Sequence, residues 1–360
     1  MAAAPTSGLA ALVTDRVRTA LREHTVPFHG LEGIEELLSA AEALLGGGKR
    51  LRAAFCAAGW GAYSPAPVEA GSAPVLAGSA LELFQGAALA HDDLMDGSHT
   101  RRGLPAVHRR MAAEHADQGW LGDPERHGAA GAILLGDLLL SVSSVEMDHA
   151  RRDVVAPATD RARAIWDLMT TEVAVGQYLD VRSQVLPWSE TSDVERALTV
   201  VKHKSARYSV EHPLTLGAAL AGADDDDVER LRRAGLPLGI AFQLRDDVLG
   251  VFGEPEVTGK PAGDDLREGK RTVLLALALR NADAAQRARL QADVGRADLT
   301  TADVADLRDI LERTGAVEEH QELIDEHLEK GLSALADLRL PTATEELLTG
   351  LAHSLTARSA

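Results

Sequence analysis

The chain has 360 residues, a formal net charge of −18 and only 3% aromatic residues. Such an acidic balance argues against a nucleic-acid partner, which calls for a basic face. The single cysteine, Cys56, has no internal partner and fits a reducing cytosol. No basic segment leads into an apolar core at the N-terminus, and no uninterrupted apolar run reaches the roughly 18 residues of a bilayer span. A cytoplasmic protein without a signal peptide or transmembrane segment is therefore expected.

Apolar residues, mostly Ala, Leu and Val, recur at three-to-four-residue spacing almost throughout. This predicts an all-α fold: a flexible stretch over 1–8, then a single helical-bundle domain over 9–360. In chain order the pattern predicts helices over 9–21 and 31–45, the second stopped by Gly46, Gly47 and Gly48. A proline-rich loop over 63–74 precedes a long helix over 75–96, and an arginine-rich loop covers 97–105. Further helices are expected over 129–147, 160–182, 193–220, 227–251, 271–281, 285–294, 302–313, 315–336 and 343–357. Gly128, Gly131 and Gly136 follow no strand and make no dinucleotide fingerprint. The acids Asp224 to Asp227 read as a solvated helix start favoured by the dipole.

Two clusters interrupt otherwise apolar helices: Asp92, Asp93 and Asp96, and Asp246 and Asp247. Asp is a poor helix former, and like charges one turn apart repel, so folding does not ask for them. A hard cation does. Mg²⁺ takes one or two carboxylates and completes its shell with water and phosphate oxygens. Both clusters fall near helix C-termini, where the dipole also attracts a cation. Helices from the two halves are expected to face each other across a deep central cavity, as bundles that hold metals do.

Basic residues accompany these acids. Arg101 and Arg102 follow the first cluster within one loop, and a guanidinium fork suits phosphate. Upstream, Lys49, Arg50 and Arg52 follow glycines that let an anion approach the backbone. Acids that hold metal, followed at once by paired arginines, suit a diphosphate gripped from both sides.

The segments GGKRLR, DDLMD with RRG, GQYLD (176–180), KSARY (204–208), FQLRDD (242–247) and GKPAGDDLREGKRT (259–272) stand in the order and spacing of the trans-isoprenyl diphosphate synthases, which this chain resembles over roughly residues 40–280. The resemblance implies that Asp92 and Asp96, with Asp93 beside them, bind two Mg²⁺ ions on an allylic diphosphate. It likewise implies that Asp246 binds a third, with Asp247 acting mainly through water; Mn²⁺ can substitute. Arg101, Lys204 and Lys260 match direct contacts to the allylic diphosphate, with Lys270 a further basic candidate. Lys49, Arg52 and Arg102 match the isopentenyl diphosphate site, completed by Gln85. Ser205, Gln243 and Tyr208 fall where polar groups face the developing allylic cation. The implied reaction joins isopentenyl diphosphate to dimethylallyl, geranyl or farnesyl diphosphate by ionisation, condensation and elimination. No protein base is evident; in the family the released diphosphate is thought to take the proton. The family is usually homodimeric.

The second cluster departs from the usual DDxxD: Gly250 stands where a third acid is expected. Two alternatives follow. One is a class I terpene cyclase, disfavoured by the second diphosphate site and the scarcity of aromatics. The other is a catalytically impaired regulatory subunit of a heteromeric synthase. Product length is expected to depend on residues above Asp92. Ala87 and Ala88 are small enough to let a prenyl tail pass, and Phe84, one turn deeper, is placed to stop it near four isoprene units. Geranylgeranyl diphosphate is the expected product.

Overall fold

A computed structural model of the chain describes residues 4–189, 193–253 and 263–356. In order the helices are α1 (Ala4–Thr25), α2 (Ile34–Leu45), α3 (Leu51–Tyr63), α4 (Ala73–Met95), α5 (Val107–Asp117), α6 (Pro124–Arg151), α7 (Ala158–Val185) and α8 (Asp193–Val200). A π-helical segment, Val201–Glu211, runs on into α9 (His212–Leu220) and α10 (Asp225–Phe252). Then come α11 (Asp264–Glu268), α12 (Val273–Asn281), α13 (Ala284–Asp293), α14 (Thr301–Arg313), α15 (Ala316–Ala336) and α16 (Thr342–Thr356). Among the described residues the one β element is a two-residue pair, β1 (Thr100–Arg101) with β2 (Leu104–Pro105). The fold is all-α, as the spacing predicts.

The chain forms two compact units: Met1–Ile165 with Pro213–Val228, and Trp166–His212 with Glu229–Ala360. In the first, α4 is the central helix. Its Val75, Leu83, Ala87 and Ala90 are buried with Val13 and Val17 of α1, Leu44 and Leu45 of α2, and Leu135 and Leu139 of α6. By length and hydropathy α4 and α6 could each cross a membrane. Most of the apolar window of α4, however, is buried inside the protein, and the two helices pack against each other.

Two helices lie where periodicity gives no sign. In α3, Ala53 to Gly59 are all buried, so there is no polar face to set a rhythm. α5 has the opposite composition: basic and acidic residues surround a short apolar stripe of Val107, Met111 and Ala112. At the N-terminus, α1 begins at Ala4 rather than at residue 9.

The second unit is built around α12, whose residues Val273 to Leu279 are all buried. A helix apolar on every side belongs inside. Its start is fixed by Thr272, whose hydroxyl accepts from the Leu275 amide. Leu244, Val248 and Val251 of α10, Leu266 of α11 and Leu307 and Leu311 of α14 pack in the same cluster. Capping boxes at Asp283/Gln286 and Thr300/Asp303 set the starts of α13 and α14.

Because Leu277 is 1% exposed at the centre of this cluster, Leu277→Ala is expected to cost about 2–5 kcal/mol. Denaturant unfolding followed by circular dichroism measures it; a loss below about 1 kcal/mol contradicts α12 as the centre of this unit.

Candidate functional site

In the first unit the acids sit on the last turn of α4, which stays regular: the Asp96 amide donates to the Asp92 carbonyl at 2.8 Å. That regularity places Asp92 and Asp96 one above the other on one face, both partly exposed. Asp93 faces elsewhere. Although the sequence offers it as a metal candidate, it is fully buried, and the guanidinium of Arg101 takes both its oxygens. The burial has a simple cause. Residues adjacent on a helix diverge by about 100°, so Asp93 turns inward, where only a paired charge is tolerated.

Arg101 can reach Asp93 because 100–105 forms a hairpin with a two-residue turn. Arg102 and Gly103 both have positive φ, 54° and 76°, as a type I′ turn requires. The turn separates the two arginines. Arg101 lies on Asp93, with Asp92 Oδ2 3.8 Å away. Arg102 instead donates to the carbonyls of Gly46 and Gly47, at 3.2 Å each. A side chain at Gly48, where φ is +97°, would meet the Arg102 guanidinium at 3.0 Å, so glycine is what lets the two segments touch.

This brings Arg102 to the GGKRLR segment, more than fifty residues upstream. Partial burial against the turn is the main cause lowering the Arg102 pKa, and Arg50, Arg101 and Arg52 lower it further against Glu82. Several guanidiniums thus share one neighbourhood, an arrangement that favours a polyanion. Lys49 is exposed and Arg52 and Gln85 are partly exposed. Arg50 has a structural part: it is 5% exposed, pairs with Glu82 at 2.9 Å and donates to the Leu45 carbonyl at 2.8 Å. His91, beside the acids, donates to the Ile133 carbonyl at 3.1 Å. Phe84 (4% exposed) and Ala87 (0%) are buried. Ala87 belongs to the core cluster against α1, α2 and α6. Ala88 is partly exposed.

In the second unit the π-helical segment carries Lys204, Ser205 and Tyr208. A π turn changes the angle between successive side chains and is a common device at functional sites. Lys204 Nζ contacts Asp180 Oδ2 at 2.6 Å; Ser205 is partly exposed and Tyr208 is buried. Two glycines admit the segment. A side chain at Gly176 would strike the Lys204 backbone at 2.4 Å, and one at Gly239 the Ala206 carbonyl at 2.2 Å.

On α10, Gln243 donates to Asp247 Oδ1 at 3.0 Å. Asp247 Oδ2 is buried and finds no hydrogen-bond donor among the described residues. Burial, together with the charges of Asp265 and Asp246, pushes the Asp247 carboxyl up to about 8 against Gln243 and Lys270. A buried acid in that condition fits a cation that would restore its charge. Asp246 is partly exposed. Lys270 pairs with Glu268 at 2.8 Å and lies 3.6 Å from Asp265. Lys260 lies outside the described residues. The chemistry present is thus carboxylates suited to a hard divalent ion, beside cations suited to phosphate.

The polyprenyl synthetase family model matches residues 34–312. A geranylgeranyl pyrophosphate synthase from Corynebacterium glutamicum, crystallised with isoprenyl diphosphate and magnesium, matches with a TM-score of 0.90 at 38% identity, covering 98% of this chain and 99% of that one. The geranylfarnesyl diphosphate synthase of Natronomonas pharaonis is 37% identical over 67% of this chain and 68% of its own. The geranylgeranyl diphosphate synthase of Sulfolobus acidocaldarius is 33% identical; there the match spans 55% of this chain and about half, 54%, of the relative.

Sequence reasoning passes over Glu172, which holds the π segment to α7. It accepts from His203 at 2.5 Å, His212 at 2.7 Å and Arg207 at 2.9 Å. Nothing nearby in the sequence marks it, since its partners lie more than thirty residues away. Asp180 and Asp265, by contrast, lie inside the GQYLD and GKPAGDDLREGK segments, so their motifs already flag them.

Burial alone would raise the Glu172 carboxyl, but hydrogen bonds from His212 and His203 and the charge of Arg207 outweigh it and hold it at about 2. A carboxyl depressed on folding stabilises the fold above its unfolded pKa, and that contribution fades as pH falls from about 4.5 toward 2. Glu172→Gln is therefore expected to lower the melting temperature at pH 7, with the gap to the parent chain closing below pH 4. Thermal denaturation across pH tests this; a gap that persists unchanged at low pH contradicts it.

Proposed function

This chain belongs to the polyprenyl synthetase family of prenyltransferases, and we propose that it condenses isopentenyl diphosphate with dimethylallyl, geranyl or farnesyl diphosphate to an all-trans prenyl diphosphate, with Mg²⁺ as cofactor. The observation that carries this reading is that, in the first unit, Arg101 lies 3.8 Å from Asp92, one helical turn from Asp96, while Arg101 and Arg52 share one electrostatic neighbourhood with Arg102. Single-substrate ionisation needs one diphosphate site. The Arg102 guanidinium on the Gly46–Gly48 turn, beside Lys49 and Arg52, supports a second. That distinction favours a chain-elongating enzyme over a cyclase.

In this reading Asp92 and Asp96 hold metal in the first unit, and Asp246 and Asp247 do so in the second. When bound, Mg²⁺ neutralises a diphosphate leaving group and draws charge from the breaking allylic C–O bond. Arg101 in the first unit and Lys204 in the second each supply donors suited to a departing diphosphate, and each is already held by a carboxylate, so that little side-chain reorganisation accompanies its part in bond cleavage. Asp93 and Asp180 position those two cations. Lys49, Arg52, Arg102 and Gln85 hold isopentenyl diphosphate, whose double bond forms the new C–C bond to the allylic carbon. The proton then lost from the condensed carbon passes to the released diphosphate. Ser205, Gln243 and Tyr208 present oxygen dipoles to the transient positive charge.

Product length rests on α4. Ala88 shares a face with Asp92, four residues on, and is small; Phe84 lies one turn deeper. This favours geranylgeranyl diphosphate. The name of the Natronomonas relative makes the five-isoprene-unit geranylfarnesyl diphosphate the second reading. A homodimer in the cytosol belongs to the same proposal. Exposed Ile133, Leu134 and Val145 on α6 support it, since apolar side chains grouped on one helix ask for cover.

Purified chain with Mg²⁺, isopentenyl diphosphate and each allylic diphosphate is expected to yield elongated diphosphate. Hydrocarbon from the allylic substrate alone indicates a cyclase, and turnover only after addition of a homologue indicates a regulatory subunit. Asp92→Ala should lower kcat/KM by about 10³-fold or more; near-parent activity refutes the metal assignment. Ala88→Phe should shorten the product, and an unchanged product distribution refutes the tunnel assignment.

A further inference from the structure

A carboxylate from another segment lies against Gly250, where the second motif lacks its third acid. Gly250 follows Asp246 by one turn of α10 and shares its face. A first side-chain carbon at Gly250 would lie 1.9 Å from Asp265 Oδ2, 2.4 Å from its Cγ and 3.0 Å from Oδ1. The carboxylate of Asp265 therefore occupies the volume in which any residue at 250 would begin its side chain.

The placement of Asp265 is well anchored. α11 is one short turn between two left-handed glycines, Gly263 and Gly269. Leu266, next to Asp265, is 2% exposed in the core of the second unit, and its carbonyl accepts from the Gly295 amide at 2.8 Å. The Asp265 carbonyl takes the Lys270 amide at 3.0 Å. Both ends of the turn are thus held, and the side chain projects onto α10.

Proximity of acids alone is no site, but two features point to a ligand. Asp247, 5% exposed, keeps Oδ2 buried without a donor among the described residues. Lys270, the nearby cation among the described residues, is closer to Glu268 (2.8 Å) than to Asp265 (3.6 Å). The charges of Asp265 and Asp246 both act on the buried Asp247, and carboxylates so grouped repel unless something positive joins them. Oxygen ligands of this number and kind select a hard divalent ion.

Building on the proposed metal role of this cluster, we infer that Asp265 supplies the carboxylate absent at Gly250, so that Asp246, Asp247 and Asp265 form the divalent-cation set of the second unit. Gly250 is then the residue that makes room for an acid from another segment. The truncated motif ceases to suggest an impaired subunit.

The test uses the full chain with Mn²⁺ as probe and inorganic diphosphate present, free Mn²⁺ being counted by electron paramagnetic resonance. Asp265→Asn, which keeps the shape, should weaken one Mn²⁺ site about 10–100-fold, and Asp246→Asn should weaken the same site. Gly250→Asp alone should lower the melting temperature through the clash. Combined with Asp265→Gly, it should recover Mn²⁺ binding to within about threefold of the parent chain, a small part of the 10–100-fold loss. If Asp246→Asn weakens Mn²⁺ binding while Asp265→Asn leaves it at the parent value, the inference fails and the proposed metal site stands. If neither changes binding, the proposed metal role of the cluster fails, and the inference with it. Failure of the Gly250→Asp/Asp265→Gly chain to recover binding, despite a parent-like circular dichroism spectrum, also overturns the exchange.

Discussion

The buried ion pair between Asp93 and Arg101 is the constraint on which the first unit's functional region depends. Three carboxylates close together on one helix end repel, and one of them faces the interior. Removing either partner of a buried pair costs about 3–5 kcal/mol, so the hairpin must bring Arg101 back onto α4. Once it does, Asp92 and Asp96 are left one above the other on a different face of the helix. The turn also sends Arg102 the other way, onto the glycines before α3. Holding a non-glycine residue at positive φ costs about 1–2 kcal/mol, a cost that the two carbonyl contacts and the bidentate pair offset. One electrostatic requirement thereby sorts five neighbouring residues into separate roles.

The second unit solves a similar problem with a helix defect. The π segment spans Val201–Glu211, and such geometry persists only where its surroundings over-determine it. Here the surroundings are the Glu172 hub, the Lys204–Asp180 pair and the two glycine contacts. Lys204, Ser205 and Tyr208 leave the register of an ordinary helix, and the hub keeps them in the new one. The same economy appears at α10, where Gly250 yields volume to Asp265. In both places a glycine does chemistry indirectly, by letting a charged group from another element approach.

Most of the helical architecture and the residue types of the candidate site were legible in the sequence. Period locates α4, α6 and α10, because amphipathic or long apolar helices carry their burial pattern in one dimension. α3 and α5 escaped because one is buried on every side and the other mostly polar. The acid and base motifs were equally plain, since their residue types have no other reason to stand in apolar helices. Their division of labour was not. Asp93 and Asp92 are adjacent letters with the same chemistry, yet one is fully buried under Arg101 while the other is partly exposed.

The sequence by itself determined the fold class, the family and the inventory of charged groups, because helix periodicity and local motif spacing are properties of short segments. Tertiary structure alone decided which of those charges act together. Arg102 meets Gly48, Glu172 meets His212, and Asp265 meets Gly250 only when distant segments are brought within a few ångströms. Electrostatic pairing and steric exclusion at that range depend on position in space, which no one-dimensional pattern records.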